Sequence, residues 1–368
     1  MKSYRIAALP GDGIGPEVIN QGIKVIKALE TKFKHLHFEI QSLPVGGQGI
    51  DLCGMPVPPE TLKGCQEADA VLLGAVGGPK WDNLPNKQRP EQSLLTLRSQ
   101  VVGAFANVRP ASLSNSLSHL SCLKRENLGQ GIDLVLIRDM SAGIFYGKPS
   151  GRESRNGEAI AYDTMSFFQS EVERIARLGF QLARTRKKKL TSVDQANVLE
   201  NSRLWREVVS EISKEYPDVE VEHLYVDNCA FALVKKPWLF DVIITEGMLG
   251  GILSDVVGGS VGSIGMLASA SVGSSKKGLF EPIHGSAPRI AGQDKANPIA
   301  TIRAVAFMLE YSIGLTKEAS FIERAIEETL QEGWGTYDIV TDKKKLVSTS
   351  QMGDLITKKI LQNTIMNV

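Results

Sequence analysis

Three arginines stand in motifs that suit the gripping of an anion: Arg98 in LLTLRSQ, Arg109 in ANVRP and Arg138 in LIRD. A guanidinium is a flat fork of N–H donors, and such a fork binds a carboxylate two-pronged. A single arginine is more often a surface residue. The case for this set therefore rests on the motifs around it. A second polar group lies in VIITEGMLGGILSDVVGGSVGSIGMLASASVGSSKKGLFEPIHGSAP, residues 242 to 288. There an apolar run ends at Gly247, and Ser254 and Asp255 follow one helical turn after Gly250 and Gly251, which places them on one helix face. Glu281, His284 and Gly285 then come in EPIHGSAP, a polar loop of the kind that wraps a nucleotide. Carboxylates beside a nucleotide loop describe a composite metal and nucleotide site.

Such groups need strands and helices to hold them. Short apolar runs recur between helical stretches: YRIAAL, DAVLLGAVGG (69 to 78), IDLVLIRD (132 to 139), LTSVDQAN (190 to 197), VEVEHLYVDN (219 to 228) and FDVIITEG (240 to 247). Strands alternating with helices predict an α/β fold. Several runs stop at polar or glycine-rich ends (Gly77-Gly78, Arg138-Asp139, Asp194-Gln195, Asp227-Asn228, Glu246-Gly247), and in open α/β sheets ligands collect at strand carboxyl ends. Any one of these ends could be turn chemistry alone; their recurrence favours a site. Apolar spacing predicts helices over 171 to 184, with Val172, Ile175, Leu178 and Leu182 on one face, and over 202 to 216, with Leu204, Val208 and Ile212. The Gly/Ser-rich stretches between 257 and 278 read as turns and a crossing between domains. PGDGIGPEV is a glycine turn that matches neither GxGxxG nor GxxxxGK[ST].

The chain of 368 residues suffices for one large or two coupled domains. A formal charge of +1 gives no general attraction to nucleic acid or membrane. The basic run RTRKKK (184 to 189) falls where a helix ends before the strand LTSVD and reads as a solvated surface. Cys53, Cys65, Cys122 and Cys229 form no metal spacing and predict reduced thiols. With no signal-peptide or membrane-spanning run in view, a cytoplasmic location is expected.

The chain resembles the 3-isopropylmalate dehydrogenases, within the larger family of decarboxylating isocitrate, malate and tartrate dehydrogenases. The likeness covers the whole chain through LPGDGIGPEV, LLGAVGGPKWDNLP, LLTLRSQ, FANVRPA, GRE (151 to 153), ANVLENSRLWREVV, YPDVEVEHLYVDN, GGILSD, GMLASAS, FEPIHGSAP, ANPIA and MGDLI. It implies a homodimer and a fold other than the usual dinucleotide-binding one. A large open-sheet domain (1–103 and 259–368) would bind nucleotide, and a smaller central domain (104–258) would carry substrate and dimer contacts. The family's reaction is oxidation of a 2-hydroxy acid by NAD, then decarboxylation, with Mg²⁺ or Mn²⁺ stabilising the developing negative charge. By the resemblance, Arg98, Arg109 and Arg138 grip the substrate carboxylates, while Glu91, Leu94, Leu95 and Val198 select an isopropyl side chain. Asp227 and Asp255 are metal positions, and Glu281, His284, Gly285, Ser286, Ala287 and Asn297 form the cofactor loop.

The departures fall on the chemistry. Gly251 stands where the family has a third metal aspartate, so Mg²⁺ or Mn²⁺ binding should be weak or absent. Gln195, in Asp194-Gln195-Ala196-Asn197, replaces the lysine that helps deprotonate the 2-hydroxyl, and Asn197 completes that motif. A neutral amide is no general base. Phe145 replaces the tyrosine that protonates the enolate; Tyr146 beside it would face away if the segment is extended. Loss of one lysine together with one aspartate leaves the charge balance unchanged, so an anion is still accepted. Arg289 follows HGSAP where NAD-using members carry an aspartate; with Tyr337 it favours NADP over NAD, although Ile290 and Thr341 replace further phosphate contacts. The expected ligand is a small di- or tricarboxylic hydroxy acid. Two roles follow: a ligand-binding or regulatory protein impaired in catalysis, or an NAD(P)-dependent enzyme of altered chemistry. A mixed dimer with an intact paralogue would lose both shared sites and be inhibited.

Overall fold

The structure, a computed structural model, describes residues 2–363. Its strands are β1 (Lys2–Gly11), β2 (Leu36–Ser42), β3 (Ala70–Ala75), β4 (Ala106–Leu113), β5 (Ile132–Asp139), β6 (Gly151–Arg155), β7 (Glu158–Tyr162), β8 (Lys189–Asp194), β9 (Glu220–Tyr225), β10 (Val242–Thr245), β11 (Ala268–Val272) and β12 (Gly278–Pro282). The chain divides into two compact units, one made of Met1–Ala104 with Gly262–Val368 and the other of Phe105–Val261. The fold is α/β.

In the first unit the strands stand in the order β2-β1-β3-β12-β11. β1 is parallel to β2 and β3, β12 is parallel to β3, and β11 is antiparallel to β12. Every residue of β3, β11 and β12 is buried, as expected of strands covered on both faces. The helix Gly15–Lys32 starts with a proline in its first turn and buries Val18, Ile19, Val25, Ile26 and Leu29 at helical spacing. The helix Thr349–Gln362 starts with a reciprocal cap between Ser348 and Gln351 and packs on Gly15–Lys32.

The second unit has the order β4-β5-β10-β8-β9 and, apart from it, the β6-β7 ribbon. β4 is antiparallel to β5; β10 runs parallel to β5 and β8, and β9 parallel to β8. Both long helices form, over Gln169–Arg184 and Glu200–Ser213, but their buried stripes are rotated from the expected ones. The first buries Val172, Ile175, Ala176, Gly179, Phe180 and Ala183 and leaves Leu178 and Leu182 half-buried. Gly179 explains this: a Cβ there would lie 2.5 Å from Ile244 Cγ2, so the helix beds on β10 through its glycine. The second stripe is completed by Trp205 and Val209, with Leu204 only half-buried.

The Gly/Ser-rich region holds turns at 261–262 and bends at 274–276, and the boundary between the units falls at 261/262, but its flanks are regular elements. Residues 257–260 are the last turn of a helix, Gly247–Ser260, and ASASV is the buried strand β11. Small residues here serve close packing. The basic run is surface, as read from the sequence, but each cation is paired: Arg184 and Lys188 with Asp218, Arg186 with Asp133 and Asp241, Lys187 with Asp133, Lys189 with Glu220 and Glu222.

Candidate functional site

In the second unit the site residues are set by strand register. Asn107 of β4 lies directly opposite Arg138 of β5, and Arg109 is two residues further along β4, so strand alternation puts all three on one face. The fully buried Asn107 accepts from Arg109 Nε at 2.8 Å. Arg109 Nη1 donates to Ser254 Oγ, and that hydroxyl donates to the Gly251 carbonyl at 2.7 Å. The helix Gly247–Ser260 is thus tied to β4 through Ser254.

Two glycines let this helix approach β5. A Cβ on Gly250 would lie 2.5 Å from Arg138 Cβ and 3.0 Å from Thr245 Cγ2. A Cβ on Gly251 would meet only Arg138 Nη1, at 3.0 Å. The position read as a missing metal aspartate therefore opens onto a guanidinium.

The loop after β5 brings Phe145 to the start of the same helix. Asp139, 1% exposed, accepts from the Ser141 and Ala142 backbone N–H groups at 2.7 and 2.8 Å. Glu246 caps the helix, accepting from Met248 and Leu249 N–H at 2.8 and 2.7 Å. Burial raises both carboxyl groups above their ordinary values against these hydrogen bonds, and Asp139 raises Glu246 further. A Cβ on Gly247 would lie 3.4 Å from Phe145 Cδ2, while the Phe145 ring is 63% exposed. Residues 144–146 form a turn, with Tyr146 N–H donating to Gly143 at 3.3 Å. Tyr146 thus lies in a turn and not in extended chain, so strand alternation does not turn its side chain away from that of Phe145.

Gln195 and Asn197 lie in a turn after β8, where Gln195 Nε2 donates to Asn197 Oδ1 at 2.9 Å. The turn is anchored by buried Asp194, which accepts from Ala196 N–H and from both prongs of Arg206. Val198 is exposed, as are Asp227 in the first turn of the helix Val226–Lys235 and Asp255 on Gly247–Ser260. Among the described residues no three His, Cys, Asp or Glu side chains gather as a cation cage. A divalent ion of the magnesium type wants a hard oxygen shell with carboxylates in it. Gly251 faces the Arg138 guanidinium and supplies no carboxylate, which leaves Asp227 and Asp255 as the acids of the expected set.

In the first unit Arg98 is held by Glu281 and Ser271. Its Nη2 donates to Glu281 Oε1 at 2.7 Å and its Nε to Ser271 Oγ at 3.1 Å. Leu94 packs partly on the buried cluster around Leu73 and Leu97, whereas Leu95 is exposed. Glu91 Oε1 lies 2.6 Å from where a Cβ on Gly77 would stand. Gly77 has φ +104, a conformation natural to glycine.

Asp12, passed over in the sequence as part of a glycine turn, joins three loops. It accepts from Gly47 and Gly77 N–H at 2.8 Å each and from Gln48 N–H at 3.0 Å. An acid between two glycines at a strand end was the available signal. The next turn supports the 284–288 loop, since Ile14 N–H donates to the Ser286 carbonyl at 2.9 Å. His284 Nδ1 donates to the Gly285 carbonyl at 2.9 Å, burial lowers the imidazole below its ordinary value, and buried Nε2 has no protein partner. A buried acceptor nitrogen without a partner fits a loop built to close on a ligand. Asn297 donates to Asp338 at 3.0 Å; Ala287 takes φ +41; Gly285, Arg289 and Tyr337 are exposed. A nucleotide would meet His284, Ser286, Ala287 and Asn297 here.

The family profile described as isocitrate/isopropylmalate dehydrogenase matches residues 5–356. The 3-isopropylmalate dehydrogenase of Aquifex aeolicus is 51% identical over 363 residues, 99% of this chain and 98% of that protein. That of Geobacillus kaustophilus is 50% identical over 364 residues, 99% and 97% of the two chains. Among solved structures, an isocitrate dehydrogenase from Methylococcus capsulatus has a TM-score of 0.85 at 33% identity, covering 98% of this chain and 100% of its own. A β-decarboxylating dehydrogenase from Thermococcus kodakarensis has a TM-score of 0.78 at 33% identity, covering 98% and 96%. This chain belongs to the isocitrate/isopropylmalate dehydrogenase family.

Proposed function

We propose that the chain binds a small hydroxy di- or tricarboxylate on its arginines but is impaired or inactive in oxidative decarboxylation, and acts as a ligand-binding or regulatory protein. The observation that carries this is Gly251, whose open side faces the Arg138 guanidinium and supplies no carboxylate. Phe145 is hydrocarbon and has no proton to exchange. Gln195 is a neutral amide whose NH₂ is already donated to Asn197. The loop from His284 to Asn297 would hold a nicotinamide nucleotide, which would supply a hydride acceptor when bound. No residue at positions 145 or 195 would take or return the accompanying protons. Arg109 and Arg138, on one face of the second unit's sheet, would hold a carboxylate by charge-assisted hydrogen bonds.

Arg289 is exposed, which suits a 2′-phosphate and favours NADP over NAD. The same observation keeps a second reading, an NADP-dependent oxidoreductase of altered chemistry on a 3-isopropylmalate-like acid. A homodimer is supported by the β6-β7 ribbon, exposed along both strands, and by exposed Phe231 and Ile252 on neighbouring helices. A two-stranded ribbon is marginal alone.

The test is nicotinamide reduction with 3-isopropylmalate, isocitrate or malate and NAD or NADP, alongside thermal shift with the same compounds. Stabilisation by an acid without reduction supports binding without turnover. Reduction at an appreciable rate would replace that reading by the altered enzyme. Phe145→Tyr, Gln195→Lys and Gly251→Asp together should return activity if only chemical groups are missing.

A further inference from the structure

We infer that the first unit carries a second ligand site, a cavity between β1, β2 and the helix Pro59–Glu67 that takes a small aliphatic α-amino acid. The site stands apart from the hydroxy-acid role proposed above and does not depend on it.

The cavity holds about 270 Å³. Pockets for drug-sized ligands begin at about 300 Å³, so this one suits an amino acid and is too small for a dinucleotide. Its floor is made by Ala7, Gly64 and Ala68, all buried. None of these side chains exceeds a methyl group, and the hollow is the space that larger ones would fill. Gly64 also lets the helix settle on the end of β2, since a Cβ there would lie 2.6 Å from Leu43 Cδ1 and 3.1 Å from Gln41 Oε1.

The rim is polar and carries both signs. Arg5 of β1 and Glu39 of β2 are register partners on strands about 4.8 Å apart, and the pair Ala7 and Gln41 follows on the same sheet face. Glu67, the last residue of the helix, closes the other side. Arg5 donates its backbone N–H to Asp69 Oδ2 at 2.8 Å, while its side chain lines the cavity. One Glu39 oxygen accepts from Ser3 Oγ at 3.0 Å, and Glu67 meets Lys63 at 3.9 Å, an exposed pair of the kind that contributes little.

A lone carboxylate on this rim would gain Arg5 but face Glu39, and a lone amine would gain the acids but face Arg5. An α-amino acid brings both charges on one carbon. Its carboxylate would take the Arg5 fork, its ammonium Glu39 and Glu67, and its side chain the floor of Ala7 and Ala68. The place is distinct from the nucleotide loop: Asp12 and its neighbours follow Gly11, about 20 Å along β1 from Arg5.

The experiment is calorimetric titration of the full chain with L-valine, isovalerate and isobutylamine, the last two lacking the ammonium and the carboxylate respectively. For a ligand this small on an exposed rim, a dissociation constant on the order of 1 mM is expected for valine, at least about tenfold below that of either analogue. Arg5→Gln and Glu39→Gln should each weaken valine by about tenfold. Both positions are exposed, and unchanged melting temperatures establish that the variants are folded. No saturation by valine up to about 50 mM overturns the inference, as does an analogue that binds equally well. Valine binding left unchanged by both substitutions lies elsewhere on the protein and overturns it too. None of these failures touches the hydroxy-acid role, which is read with other ligands.

Discussion

Arg98 and Glu281 hold each other, Nη2 to Oε1 at 2.7 Å, with side chains 14% and 10% exposed. The sequence assigns one to substrate and the other to cofactor, yet the two are partners. Breaking such a pair leaves a buried charge uncompensated. Arg98→Ala should therefore cost about 3–5 kcal/mol in urea unfolding, and Arg98→Met with Glu281→Leu should recover much of that loss. A double variant as unstable as Arg98→Ala would mean that the pair is solvated.

Adjacent glycines should behave oppositely. Gly250→Ala puts a methyl group 2.5 Å from Arg138 Cβ and should destabilise by about 1–3 kcal/mol. Gly251→Ala meets only the movable tip of Arg138, and helix propensity should then stabilise it by about 0.5–1 kcal/mol. Chemical denaturation of the two variants side by side decides it; equal effects would refute the packing described.

Glu246 and Asp139 give a pH dependence of definite sign. Both are raised from ordinary values of 4.5 and 3.8 by burial. Their contribution to stability is present below those values and is lost as the pH rises through the raised ones. Glu246→Gln should be less stable than wild type near pH 4, having lost one of two cap acceptors, and the gap should narrow towards about pH 7. Melting temperatures across this range that leave the gap constant would show that Glu246 does not titrate there.

Asp12→Asn keeps the shape but turns one acceptor into a donor facing backbone N–H groups. A loss of about 1–3 kcal/mol is expected. Hydrogen exchange should rise at Gly47, Gln48 and Gly77 together, since one carboxylate holds all three. Faster exchange at only one of them would contradict the common anchor.

Much of this was legible in the residues. The apolar runs at 132 to 139 and 240 to 247 became β5 and β10, because short buried strands are written as continuous apolar sequence. ASASV was not legible: alanine and serine carry little strand signal, and burial of β11 comes from its neighbours. The arginine motifs were visible, but the Arg98–Glu281 pair joins residues far apart in sequence. The rotation of the Gln169–Arg184 stripe was equally hidden, because Gly179 carries no hydrophobic weight and matters only when Ile244 is set beside it.

The pairing of the RTRKKK run has a consequence for how the surface behaves in acid. Burial pulls Asp133 up, but Arg186 and Lys187 outweigh it and hold its carboxyl below the ordinary value; the Arg184 hydrogen bond does the same for Asp218. These bonds persist above the ordinary carboxylate range and are lost as the pH falls through the depressed values. Once Asp133 and Asp218 are protonated, Arg184, Lys187 and Lys188 lose their internal counter-charges together. A patch that is electrically quiet at neutral pH then becomes an adhesive one, able to adsorb the protein to polyanions and anionic resins under conditions commonly used to elute proteins from affinity columns.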